Sequence, residues 1–162
     1  MLPTRLRGAF RIDMQTLNAS AHLIAAHPDL EAFGLYLGGF DTTCHSLWNY
    51  RFPEESGASL PPEDVAALGP LLDSYVAFLD ASLQRLIGGY RVPVNVVIVS
   101  DHGYKYQWHD PHGFFLASGP SIPPGSKRLL VSYYDVVPTL LELGGFEQPA
   151  TMRGTALFVP PY

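Results

Sequence analysis

The chain has 162 residues, 47% of them hydrophobic, and a formal net charge of −5 with its six histidines counted neutral. That is enough apolar material for one globular domain with a sizeable core, and too much for a disordered polymer. The acidic balance argues against a nucleic-acid polymer or an anionic membrane as a general partner; no stretch reaches the ~20 apolar residues of a membrane span, and the single Cys44 excludes an internal disulfide.

At the amino end, Met1 to Phe10 lacks the unbroken apolar region of ~7 to 15 residues that a secretory signal carries, which leaves the compartment open. Residues 13 to 27 place Met14, Leu17, Ala21, Ile24 and Ala25 at near-helical spacing between Asp13 and Pro28, predicting an amphipathic helix. Phe33 to Gly38 reads as a strand, and Pro53 to Pro62 as a loop. From Pro62 to Ile87 a stripe of Leu72, Tyr75, Val76, Leu79, Leu83, Leu86 and Ile87 predicts helix, divided at Gly69-Pro70 and stopped by Gly88-Gly89. Val94 to Ser100 carries five β-branched aliphatics and reads as a strand buried on both faces of a parallel sheet. Phe114 to Ser118 is a further strand. Asp135 to Gly145 has the pattern of a short helix with Asp135 as its cap, and Pro149 to Tyr162 reads as an irregular tail. Without repeat or linker, residues 1–162 read as a single domain.

Two acid-imidazole pairs stand out. Asp101 and His102 follow directly on the Val94 strand, at the carboxyl end where open α/β sheets bind ligands. Asp41 and His45 follow the Phe33 strand; on a helix, residues four apart share a face and can hold one ion between them. A carboxylate oxygen beside an imidazole nitrogen is a donor set suited to zinc or a similar divalent ion. Each pair alone is more often a turn or cap with a surface histidine. Parallel strands joined by the intervening helix would bring both pairs to one sheet edge. Two more histidines, His109 and His112, lie in an aromatic loop just beyond; Trp48, Tyr50 and Phe52 suit core packing better than a substrate pocket.

Four segments in order, Tyr36 to Trp48, Val99 to Gly103, His109 to Pro120 and Asp135 to Leu141, resemble the type I phosphodiesterase/nucleotide pyrophosphatase family of the alkaline phosphatase superfamily. The resemblance implies a three-layer α/β sandwich with a mostly parallel sheet, and a two-metal hydrolase of phosphate esters, usually with zinc. Asp41, His45 and a loop histidine would hold one ion, and Asp101 and His102 would belong to the second. The family pattern selects His109 as the loop ligand, with His112 the second choice; His22 and His27 match no such position. Two cations about 3.5 to 4 Å apart would clamp a phosphoryl group of a small-molecule phosphate ester.

Family members also carry an upstream strand end that supplies another metal-binding Asp and a Thr or Ser nucleophile. Nothing before Asp41 matches it, since Asp13, Thr4, Thr16 and Ser20 lack the strand-to-helix setting. The expectation is therefore a catalytic domain incomplete on its amino-terminal side, with an exposed sheet edge that favours self-association. Such a chain would bind about one zinc with little turnover. The alternatives are a non-catalytic zinc-binding or partner-binding protein, and another branch of the superfamily such as a sulfatase or a phosphoglycerate-mutase-like enzyme.

Overall fold

A computed structural model of the chain describes residues 4–57, 59–106, 108–125 and 130–158; residues 159–162 of the expected tail lie outside this set. The described residues are mostly helical and form two compact units. The first takes the chain through Arg91 together with Tyr104–His109, and the second takes Val92–Gly103 and the chain from Asp110 onward.

The first unit is built on helix α1 (Thr4–Ala26). Its buried positions, Leu6, Ala9, Asp13, Leu17, Ser20 and Ile24, repeat every three or four residues and so form one stripe. The helix starts earlier than the spacing from residue 13 suggests, because Leu6 and Ala9 continue the stripe, and it stops two residues before Pro28, whose ring disfavours helix in the residue ahead of it. Helix α2 (Gly39–Arg51) buries Gly39, Thr43, Cys44 and Leu47. A single turn, α3 (Pro53–Ser56), interrupts the expected loop. Helices α4 (Pro62–Leu68) and α5 (Pro70–Gly88) meet at Gly69, each with Pro in its first turn, as Gly69-Pro70 predicts. A side chain at Gly69 would meet the carbonyl oxygens of Tyr50 and Val65, so the junction presses directly on the end of α2. Val76 and Ile87, expected on the buried stripe of α5, are instead 47% and 41% exposed.

Two apolar clusters hold this unit. Leu6, Cys44, Leu47 and Leu72 form one, joined by Phe40, Trp48, Phe52 and Tyr104. Leu17, Ile24 and Leu86 form the other, with Phe33, Leu35 and Leu37 packed on it. Leu47 is 2% exposed, and truncation of such a leucine to alanine typically costs about 2–5 kcal/mol.

The mostly parallel three-layer sandwich does not form. Phe33 to Leu37 makes no strand; its apolar residues alternate and lie against α1 and α5, while the backbone between Leu30 and Gly38 is irregular. In the second unit, β1 (Val96–Val99) finds its partner in β4 (Phe115–Ser118), antiparallel, with Val96 opposite Ser118 and Val99 opposite Phe115. The physical reason is the connection. A parallel partner needs a crossover of a dozen or more residues, usually a helix, whereas the described residues among 100–114 contain no helix and lead straight back to β4. The remaining strands, β2 (Gly103–Lys105) and β3 (Trp108–Asp110), form a two-stranded hairpin whose Tyr104–His109 portion belongs to the first unit.

The second unit closes with α6 (Tyr133–Leu143). Its cap is Ser132 and not Asp135: the Ser132 side chain accepts the Tyr134 N–H, and Asp135, at the third helical position, accepts the Ser132 N–H at 2.9 Å. This is a capping box, which the Ser132-to-Asp135 spacing permits. The other Asp135 oxygen accepts the Thr155 N–H at 2.9 Å and anchors the following segment.

Candidate metal centre in the first unit

Helix α2 puts Asp41 in its first turn and His45 one turn later. The face they share points away from Cys44 and Leu47, whose burial fixes the rotation of the helix. Their side chains keep 40% and 33% exposure, with His45 Nε2 at 3.5 Å from Asp41 Oδ1. The hairpin brings in a third group: His109 Nε2 lies 3.3 Å from Asp41 Oδ1 and 2.9 Å from His45 Nε2. One carboxylate oxygen and two imidazole nitrogens thus bound a triangle with edges of 2.9, 3.3 and 3.5 Å.

Those edges match a zinc site. Donors at tetrahedral angles and zinc bond lengths of about 2.0–2.1 Å stand about 3.3 Å from one another. The donor chemistry also fits, since a mixed nitrogen and oxygen set with three protein ligands is common among catalytic zinc centres.

The orientation of His45 has its own support. Tyr104 Oη is 2.9 Å from His45 Nδ1, and the two rings meet edge to face with centroids 5.1 Å apart. A bond at Nδ1 directs Nε2 toward the site, the arrangement in which a ligating imidazole is held by its second nitrogen. Tyr104 is itself packed on Trp48, centroids 4.9 Å apart. Its hydroxyl pKa is raised, first by burial and then by the neighbouring Cys44 and Asp41, against a smaller lowering by Arg5, so Tyr104 stays a neutral hydroxyl.

Comparison with family models, curated proteins and solved structures finds no match. The site therefore stands on its own geometry.

Of the predicted ligands, Asp41, His45 and His109 come together. His112 belongs to the second unit, where its side chain is 83% exposed and its Nδ1 lies 2.9 Å from Asp110 Oδ1. Asp101 and His102 also belong to the second unit, at the end of β1. There the Asp101 side chain is 88% exposed, its carbonyl accepts the Tyr133 hydroxyl at 2.6 Å, and His102 Nδ1 lies 2.8 Å from the Gly103 carbonyl oxygen. His102 Nε2 is 3.8 Å from Asp101 Oδ1, too long for a hydrogen bond. His22 and His27 are exposed.

Sequence reasoning missed two contributors. Tyr104 carried no spacing signal, because its partner His45 is 59 residues away. Asp13 did carry one: it is an acid on the buried stripe of α1, where a charge requires a partner.

Proposed function

We propose that the chain binds one divalent cation of the zinc type between Asp41, His45 and His109, and that this centre serves the hydrolysis of a small-molecule phosphate ester. The observation that carries the reading is the triangle itself: three metal-ligand side chains from a helix and a distant hairpin, with edges of 2.9 to 3.5 Å. The ester-hydrolase part draws on the resemblance of the Asp41, Asp101, His109 and Asp135 segments to type I phosphodiesterases. In that reading Asp101 and His102 serve a second cation.

Zinc bound here would supply Lewis acidity toward a phosphoryl oxygen and ease deprotonation of a hydroxyl or water. The protein's own groups have narrower tasks. Asp41 neutralises part of the cation's charge and leaves a net positive centre that attracts a phosphate in an otherwise acidic protein. His45 and His109 would each contribute an Nε2 lone pair, and the Tyr104 oxygen, 2.9 Å from His45 Nδ1, would accept the proton that ligation at Nε2 requires on Nδ1. The His45 and His109 side chains keep 33% and 50% exposure, while Asp41 Oδ1 itself is buried.

One observation favours the alternative of non-catalytic zinc binding. Two nucleophile-type side chains on α2 near Asp41 are turned inward, Thr43 and Cys44, each 1% exposed, with Thr43 Oγ1 donating to the Gly39 carbonyl at 2.7 Å, while Thr42 and Ser46 are half-buried. The test is equilibrium dialysis against zinc followed by assay of an aryl phosphodiester. About one zinc bound per chain, with zinc-dependent turnover lost in His109→Ala, supports the hydrolase. Zinc binding without turnover supports the alternative, and no zinc binding overturns both.

A further inference from the structure

We propose that Asp13, on α1, is a positioning residue for the Asp41–His45–His109 centre: it fixes where α2 begins and thereby where Asp41 and His45 meet His109. The inference rests on the metal reading above and adds to it a residue outside the ligand set.

A helix leaves its first backbone N–H groups without internal partners. At the start of α2 the cap position is Gly38, which has no side chain to offer. The missing acceptor comes from another helix. Both carboxylate oxygens of Asp13 lie within reach of the Gly39 N–H, at 3.2 and 3.1 Å, and the Tyr75 hydroxyl from α5 donates to the same carboxylate at 2.7 Å. Asp13 is 1% exposed. A negative charge at the positive end of a helix is favourable, and here it also ties α1, α2 and α5 together at one point.

Room at that point is limited. A methyl group at residue 39 would collide with the Tyr75 hydroxyl and lie 2.6 Å from Asp13 Oδ2, so only glycine lets the backbone approach this closely. Asp41 stands two residues beyond this anchor, in the same turn. His109 is held by a separate element, the hairpin, through the packing of Tyr104 in the Leu6–Cys44–Leu47–Leu72 cluster. The triangle thus has two of its corners on α2 and one on the hairpin. Metal coordination tolerates about 0.2 Å of error in ligand distance, and a shift of the α2 start would change both edges that end on His109.

The experiment uses the whole chain and two readouts: zinc affinity, and the nuclear Overhauser contact between the His45 and His109 rings in the metal-free protein. Asp13→Ala is expected to weaken zinc binding by about tenfold or more and to lose the ring contact while the helical circular dichroism remains. Asp13→Asn, which keeps an oxygen for the Gly39 N–H, is expected to retain both. Leu86→Ala, in the other apolar cluster, supplies an equivalent loss of melting temperature without touching the anchor, and is expected to keep both readouts. Equal losses in Asp13→Ala and Leu86→Ala overturn the proposal, as does an Asp13→Ala protein with affinity and ring contact intact. Should Asp13→Ala not fold, Tyr75→Phe removes one tether of the same carboxylate; weakened zinc binding supports the proposal and unchanged binding overturns it. If the wild-type chain binds no zinc, the metal reading falls and the ring contact alone decides: its loss in Asp13→Ala upholds the positioning role, and its persistence removes it.

Discussion

His45 Nε2 and His109 Nε2 lie 2.9 Å apart, a hydrogen-bond distance between two nitrogens contributed by a helix and a hairpin 64 residues away. Such a pair needs one proton between them: one ring donates and the other accepts. In the metal-free protein, one of the two Nε2 atoms therefore carries hydrogen. With zinc bound, both must present lone pairs, and the one Nε2 proton moves to the Nδ1 of its own ring. Long-range proton–nitrogen spectra of the ring nitrogens should show one Nε2–H tautomer without metal and two Nδ1–H tautomers with it. An unchanged tautomer pattern on zinc addition would show that the pair is not the ligand set.

The choice between the two loop histidines becomes a comparison of variants. His109→Ala removes a corner of the triangle and should weaken zinc by more than about 100-fold, beyond the range for losing an outer partner. His112→Ala removes only the exposed pair with Asp110 and should leave affinity unchanged in isothermal titration.

Tyr104→Phe keeps the ring that packs on Trp48 and deletes the oxygen at His45 Nδ1. The expected cost is about 10-fold in zinc affinity, the lower end for a second-sphere partner, with little change in melting temperature. A large thermal loss with unaltered affinity would assign Tyr104 to the core alone.

How much of this was legible beforehand depends on the range of the signal. The Asp41–His45 spacing is local, and the helix that makes it meaningful follows from helical periodicity, so this pair was readable. The α4–α5 break at Gly69-Pro70 was readable for the same reason. The parallel sheet was not: Phe33 to Leu37 has strand composition, yet strand formation depends on a partner, and Val96–Val99 takes Phe115–Ser118 instead. Apolar alternation served packing against helices rather than a ladder. The Asp135 cap was misplaced by three residues because both Ser132 and Asp135 suit a helix start, and only the geometry shows that each caps the other. Tyr104 and the Asp13–Gly39 anchor join residues far apart in the chain, where no periodicity points.

Tyr106 at the hairpin has φ 49, a left-handed conformation that costs a non-glycine residue about 1–2 kcal/mol. Its side chain is 52% exposed and its ring is met by the Lys105 ammonium. Tyr106→Asn, a residue that adopts this conformation more readily, should raise the melting temperature by a few degrees. Because the same hairpin carries His109, zinc affinity should hold or improve. A lower melting temperature would show that the Tyr106 ring contacts outweigh the backbone cost.

The buried acids of the first unit predict alkaline weakness. Burial, with the Asp41 charge second, pushes the Cys44 thiol up to about 12, and burial together with the Asp13 hydrogen bond pushes the Tyr75 hydroxyl up as well. In the unfolded chain a thiol ionises near pH 8.5 and a tyrosine near pH 10. Above those values the unfolded state loses protons that the folded state still holds, so stability falls as pH rises. Each such group contributes at most about 1.4 kcal/mol per pH unit over its window, and nothing below about pH 8. Urea unfolding at intervals from about pH 7 to about pH 11 should therefore show a flat region followed by a decline that begins with the thiol. Cys44→Ala should lower stability at neutral pH by leaving a small void beside Leu47, yet delay the decline until the tyrosine window. If the decline begins at the same pH in Cys44→Ala as in the wild type, the thiol is not its source.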